Sequence, residues 1–529
     1  MHDTLIHSRA HRTISSVIPS GARSATPGVI PSGARSAISL VIPSGARSAE
    51  SRDPHLAARL ALVLALLVAH ARAGAQPAAS RTALAPGDVA ITGATVITMT
   101  GDSVLRDATV LVRAGRIAAV GPAARVQVPA SARRIDGRGK FVVPGLADMH
   151  AHLYADEWVA DSIAPAELGV MLAHGVTTAR LMIGTAVHRA LRGRIERGEL
   201  AGPQLYIASP QVSGDSSANA YVVRSPDDAR RAVRLASDSG YDFVKLTTNL
   251  PPAVYDAIVA EAAQRRLPVV GHVDPRVGVA RALRARQQIE HLDNYMESVL
   301  ADSAPSRASV SDVGAYRAAN WATLDHVDDR KVEAIAGATA RAGVHVTPTL
   351  AFFHLWFATE QSDSAVRARP DYAHIPPRMR ELYERARARY WQNPPSAARR
   401  ARYVAVRNRL VRTIVDSGGH VMAGSDAPGG LMGYGWTLHR ELEMLVAAGL
   451  TPSQALAAAT IVPARWLGAE REWGSIASGR RADLVLLDAD PLRDIRNTTR
   501  ISSVMIGGRV LERAMLDESI EKARRLLNP

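Results

Sequence analysis

The sequence predicts an α/β protein, a (β/α)8 TIM barrel with a small β-sandwich domain formed by both chain ends. Three observations lead there. Eight short apolar runs alternate with helical stretches between Pro144 and about Leu467. Strand-like runs bounded by turns flank that region on both sides. Polar residues able to do chemistry recur at the C-terminal ends of the apolar runs, where such barrels place their sites.

Taken in order, residues 1–54 carry "VIPSGARSA" at Val17, Val29 and Val41, a repeat too short and too rich in Pro, Gly and Ser to build a core. It reads as disordered and admits a start codon downstream of it. Residues 55–75 follow with Arg59, the apolar "LALVLALLVAH" and the small-residue "ARAGAQ", the pattern of a secretory signal peptide. The apolar run falls short of the roughly 20 residues that span a bilayer. The expectation is a periplasmic or secreted protein with no stable membrane span after cleavage. Residues 85–143 read as short strands, "VAITGATVITM", "ATVLVRAGRIAAVG" and "RRIDGRGKFVV". Matching runs return within 470–515 as "ADLVLLDAD" and "ISSVMIGGRVLE", so the two ends are expected to pair.

Between them, residues 144–469 supply the barrel strands at "GLADMH", "VTTARLM", "PQLYIAS", "YDFVKL", "LPVVGHV", "QQIEHL", "VHVTPTL" and "GHVMAGSD". The gap between the last two is long and carries "RMRELYERARARY" and "RRARYVAVRNRL", a helical insertion over about 360–412 that could form a lid. Its arginines fit a solvated helix face better than a surface for acidic partners or lipid headgroups.

Composition narrows the chemistry. The chain of 529 residues is 47% hydrophobic and holds no cysteine, so it can bury a large core, and any metal must be held by nitrogen and oxygen. The net charge of +14 comes from arginines scattered among acids, without a nucleic-acid-binding motif. Neither a Gly-x-Ser-x-Gly elbow nor a His-Glu-x-x-His helix is present.

The stretch "GLADMHAHL" ends a buried strand with His150 and His152, two residues apart and so on one face. Alone this is weak. Lys245 on strand four, His272 on five, His291 on six and Asp426 on eight add four more candidates at the same rim. An ammonium has no lone pair for a cation. Reaction with carbon dioxide would make Lys245 a carbamate able to bridge two metals, and a plain salt bridge is the alternative. Arg180 could clamp a substrate carboxylate or pair with a neighbouring loop. Tyr221, His354 and His439 are candidate pocket residues, although a packing role fits each of them better.

With these residues in hand, the chain resembles the amidohydrolase superfamily, in its imidazolonepropionase-like and metal-dependent prolidase-like branch. The resemblance rests on "PGLADMHAH", "GVTTAR", "YDFVKL", "VVGHV", "IEHLD", "AGSDAP", "LHRELEMLVAAGLTPSQALAAAT", "GSIASGRRADLVLLDADPL" and "GGRV". It implies a metal-dependent hydrolase with two ions, usually Zn²⁺ although other divalent metals serve. His150 and His152 would hold one ion and His272 and His291 the other, with carboxylated Lys245 between them. Asp426 would be a ligand and the proton shuttle of amide hydrolysis. Prolidase-like relatives often carry "GGH" after strand three, where this chain has "VSGDSSANAYVV", so the resemblance leaves the substrate pocket open. True imidazolonepropionases lack the bridging lysine, which favours the peptidase-like side. The expected substrate is a small-molecule amide or dipeptide, or an N-acyl amino acid, with no nucleic-acid partner, and a homo-oligomer stays open. The alternatives are a cyclic amide hydrolase or deaminase on the same fold, and a secreted metal-binding protein without catalysis.

Overall fold

The computed structural model describes residues 87–101, 104–153, 163–217, 219–304, 321 and 323–528. The repeat and the signal-like segment expected at residues 1–54 and 55–75 lie outside the described residues. Among the described residues, no helix is long and apolar enough to cross a membrane.

The two ends of the chain meet in one eight-stranded sheet. Val89–Ile97 pairs antiparallel with Val104–Arg113, which pairs with Arg116–Pro122, and it runs parallel to Arg133–Asp136 and Phe141–Pro144. The link between the ends is the antiparallel register of Phe141–Pro144 against Leu484–Leu487, from Phe141↔Leu487 to Pro144↔Leu484. Ile501–Ile506 and Arg509–Glu512 complete the sheet. Val96, Val110, Ile117, Val142, Leu484 and Met505 fill its own apolar cluster, an area of burial that no single end could supply alone.

The middle of the chain forms eight short parallel strands: β1 (Leu146–Ala151), β2 (Val176–Leu181), β3 (Gln204–Ile207), β4 (Val244–Leu246), β5 (Val269–Gly271), β6 (Gln288–Glu290), β7 (His345–Thr347) and β8 (His420–Val421). They coincide with the eight apolar runs of the sequence. One parallel ladder joins β1 to β3 and another runs from β4 to β8. Parallel bridges Ala208↔Phe243 and Ala151↔Ala427 link the two ladders at both margins. Helices follow the strands, as in Ala164–Ala173, Pro226–Asp238, Pro252–Gln264 and Asp329–Ala342. With both faces covered, β1 and β2 are buried at every position, their polar Asp148, His150, Thr177, Thr178 and Arg180 included, so neither has a solvated face. The fold is α/β and TIM-barrel-like. Two short strands missed in the sequence, Gln211–Ser213 and Ala220–Val222, extend the ladder beside β4, too brief to leave a periodic signal.

The long β7–β8 connection is helical as expected, through Leu350–Phe353, a π-helical turn at His354–Ala358, Pro377–Tyr390 and Ala397–Asp416. It owns an aromatic cluster of Phe352, Trp356, Phe357 and Tyr383 with Leu431 and Met432. Arg378, Arg385, Arg389, Arg402 and Arg409 are exposed on its helices, and many of the insertion's arginines also have acidic partners. Arg385 pairs with Glu381, Arg387 with Asp363, Arg399 with Asp325, Arg400 with Glu360 and Arg412 with Asp416, so most of the local charge is compensated within the chain.

Candidate metal centre

The end of β1 presents Asp148, His150 and His152 at alternate positions, and the tip of β8 turns back on it. Asp426 donates its backbone N–H to His150 O (2.7 Å), and Met149 N donates to Ala423 O (2.9 Å). Close approach here requires glycine at position 424, where a Cβ would lie 2.8 Å from His150 Cβ. These bonds bring His150, His291 and Asp426 together, each buried, with one ligand atom apiece inside a 4.8 Å circle. His152 Nε2 lies 3.1 Å and His150 Nε2 3.4 Å from the same Asp426 Oδ1. The His272 ring stacks on His291 at 4.8 Å between centroids, and His150 and His291 stand 4.5 Å apart. Five of the six expected residues thus occupy one region, with His150 nearer to His291 than to His152, whose ring is 5.2 Å away.

The Nδ1 atom of three imidazoles is occupied by a protein group, which fixes the ring and directs Nε2 inward. His150 Nδ1 meets Glu290 Oε2 at 2.6 Å, His272 Nδ1 meets Asp293 Oδ2 at 2.8 Å, and His291 Nδ1 meets Thr349 Oγ1 at 2.7 Å. Such outer partners are what orient metal-binding histidines. Burial, together with the neighbouring histidines and Lys245, holds His291 well below the usual imidazole range, and burial lowers His272 to about 4. Both rings are therefore neutral near pH 7 and keep a lone pair for a cation.

Lys245 on β4 is fully buried, and among the described residues its Nζ has no hydrogen-bond partner. Gly271 makes room for it: a Cβ there would sit 2.9 Å from Lys245 Cδ, and its φ of 116° is a conformation glycine alone tolerates. An isolated buried ammonium is expensive. The donor set of imidazoles and a carboxylate fits divalent ions such as zinc.

Backbone strain concentrates at the same rim. His291, Thr349 and Asp426 adopt left-handed φ values of 61°, 46° and 57°. For a β-branched threonine this is an outlier that the surroundings must enforce.

The other candidates have partners within the protein. Of its two readings Arg180 takes the paired one: it is fully buried inside the strands, donating from Nε to Met149 O (2.6 Å) and from Nη2 to Glu290 Oε1 (2.6 Å), with Gln288 Oε1 at 2.8 Å from Nη1. It is the counter-charge of the carboxylate that holds His150. His439 is likewise structural, its ring nitrogens bound to Thr498 Oγ1 (2.9 Å) and His174 O (3.1 Å). His354 lies in the π-helical turn with Nδ1 on Met444 Sδ, and Tyr221 has Tyr241, Arg189 and Ser239 as its polar neighbours. Glu290, Asp293, Thr349 and Asp148 were not singled out. Two signals existed: Glu290 and Asp293 flank His291 in "IEHLD", and Asp148 is two residues before His150 on the same strand face. Asp148 Oδ1 accepts from Ser425 N (2.9 Å), and burial pushes its carboxyl up to about 6.

Parallel strands whose C-terminal ends gather neutral imidazoles, a carboxylate and a bare buried lysine define a metal-binding member of the TIM-barrel-like class. Residues 141–511 match the model of the amidohydrolase family, and the chain belongs to that family. It is 36% identical over 150 residues to the 5-methylthioadenosine/S-adenosylhomocysteine deaminase of Symbiobacterium thermophilum, covering 23% of this chain and 34% of that protein. It is 26% identical over 411 residues to the imidazolonepropionase of Deinococcus deserti, covering 76% of this chain and 90% of that one. The solved structure of a prolidase candidate from Bifidobacterium longum superposes with a TM-score of 0.59 at 25% identity, over 83% of this chain and 99% of that chain. The chain spans about a third of the length of the first curated relatives it matches.

Proposed function

We propose that this protein is a metal-dependent hydrolase that cuts a carbon–nitrogen bond of the amide or peptide type, with dipeptides and N-acyl amino acids as the substrate class. The observation that carries the reading is Lys245, a fully buried amine without a hydrogen-bond partner among the described residues, set beside neutral histidines. Carboxylation forms an N–C bond to carbon dioxide with loss of one proton, and turns that amine into an anionic ligand. His150, His152, His272, His291, Asp426 and the carboxylated Lys245 would then hold one or two divalent ions. Bound there, the metal makes water acidic enough to act as a nucleophile near neutral pH and polarises the carbonyl.

The residues do the rest. Asp426, at hydrogen-bond distance from His152, takes the proton of the attacking water and delivers it to the departing nitrogen, so that amide and water become acid and amine. Glu290 holds the His150 ring, and Arg180 neutralises Glu290 in a site without solvent. The prolidase candidate, similar along nearly its whole length, supports a peptide-type substrate. Export is part of the proposal and rests on the signal-like residues 55–75; cell fractionation that finds the protein in the cytoplasm refutes it.

The test is a screen of purified, metal-analysed protein against dipeptides, N-acyl amino acids, cyclic imides and aminopurines. Release of an amine and a carboxylate is the expected result. Ammonia from an aminopurine would establish a deaminase instead, and a fully metallated protein that cleaves nothing would leave a metal-binding protein.

A further inference from the structure

The arginine-rich insertion holds one guanidinium unlike the others. Arg407, on helix Ala397–Asp416, is 2% exposed, whereas Arg399, Arg409 and Arg412 on that helix pair with acids at its exposed edge. Its hydrogen bonds go to no carboxylate. Nη2 donates to His291 O and to Pro348 O, both at 3.0 Å, and Nη1 reaches Tyr403 Oη at 3.5 Å. Its Cζ lies 3.9 Å from the centroid of the Phe353 ring, and among the described residues Nε has no hydrogen-bond partner. Among the described residues no carboxylate lies within hydrogen-bond distance of Arg407, the Glu441 carboxyl acting on it only from further off, and a buried cation with an unsatisfied N–H costs several kcal/mol in general. Such an expense needs a structural or functional return.

The two carbonyls it binds show what that return is. His291 follows β6 and Pro348 follows β7, and both flank the strained stretch of the rim, His291 at φ 61° and Thr349 at φ 46°. The same gap is crossed by the side-chain bond between His291 Nδ1 and Thr349 Oγ1. A third tie across the gap comes from His291 N, which donates to Thr347 O at 2.8 Å. Arg407 therefore closes the backbone side of a clasp whose other side fixes the imidazole. One planar nitrogen serving both carbonyls sets the spacing between the two strand ends. The Phe353 face in turn fixes the guanidinium plane.

We infer that Arg407 is a positioning residue for the metal centre: it holds His291 in its left-handed conformation, so the helical insertion is built into that centre and is not merely a cover over it. The inference rests on His291 being a metal ligand, as proposed above. Its test reads metal affinity and needs no substrate.

Full-length wild type, Arg407→Gln, Arg407→Lys and, as a control on the same helix, Arg409→Ala are stripped of metal and titrated with zinc against a chromophoric chelator. Thermal unfolding of the metal-free proteins is recorded in parallel. Loss of an outer-shell partner typically weakens a metal site by about 10- to 100-fold, and that range is expected for Arg407→Gln. Arg407→Lys, which keeps a donor but not the planar fork, should fall in between, and Arg409→Ala should match wild type. If Arg407 merely packs the helix, Arg407→Gln will melt lower while binding zinc within twofold of wild type, and the inference is overturned. Should Arg407→Gln not fold, Arg407→Lys decides: weaker zinc binding with an unchanged metal-free melting point supports the inference, and unchanged binding overturns it. A wild type that binds no zinc overturns both the centre and this role, whereas one that binds zinc but hydrolyses no amide refutes only the proposed activity.

Discussion

Replacing Glu441 with Gln should change how stability depends on pH, in a direction fixed by where that carboxyl sits. Glu441 is fully buried on helix Trp436–Ala447; Oε2 accepts from Ala351 N at 2.7 Å, and Oε1 has no hydrogen-bond partner among the described residues. Burial pushes its carboxyl up from 4.5 to about 8, with Asp148 adding to the rise and Arg407 opposing it. The folded protein therefore holds a neutral acid at pH 7, where the unfolded chain holds a carboxylate. Folding takes up a proton between about pH 4.5 and 8, so the unfolded state binds fewer protons and stability falls as pH rises through that window. A rise of about 3.5 at about 1.4 kcal/mol per unit sets an upper limit near 5 kcal/mol, lost progressively and then constant above about pH 8. Gln keeps the acceptor for Ala351 N and cannot ionise. Wild type and Glu441→Gln should thus be equally stable near pH 4.5 and diverge by up to about 1.4 kcal/mol per pH unit, with Gln the more stable at pH 9. Urea unfolding of the metal-free proteins at unit steps from pH 5 to 9 measures this. Parallel curves for the two proteins would refute the argument that Glu441 is buried as a neutral acid.

Three further outcomes follow from the metal centre. Lys245→Ala should lose metal and turnover together, and bicarbonate or a short carboxylic acid should restore part of both; full zinc loading without rescue would remove the carbamate from the scheme. Asp426→Asn should lower turnover by about 10²- to 10⁴-fold, the usual worth of general acid–base help, while zinc content falls far less; wild-type turnover would end the proton-shuttle role. Glu290→Gln leaves the buried Arg180 guanidinium facing a neutral amide and loosens His150, so unfolding in urea should show a loss of roughly 3–5 kcal/mol and zinc should bind about 10- to 100-fold more weakly. Unchanged stability in that variant would show that the Arg180–Glu290 pair does not brace the site.

The sequence by itself determined the order of elements and the location of the candidate chemistry. The strands β1, β2, β4, β5 and β6 are buried at every position, and short apolar stretches around their polar residues marked them in the sequence. A strand's period of two put His150 and His152 on one side before any contact was known. The pairing of the two chain ends was legible for the same local reason. What tertiary structure alone decided is which polar side chains face the centre and which face the wall behind it. Arg180 and His291 both stand at strand ends, but only packing shows that Arg180 turns inward to Glu290. Nothing local to His439 names its partners, Thr498 and His174 O, which are distant in sequence and take both its nitrogens. Arg407 was one arginine among many on a helix, and its distinction depends on a carbonyl 116 residues away. The reason is general: propensity and periodicity are written in neighbours along the chain, whereas desolvation and hydrogen-bond partners are set by residues that meet only after folding.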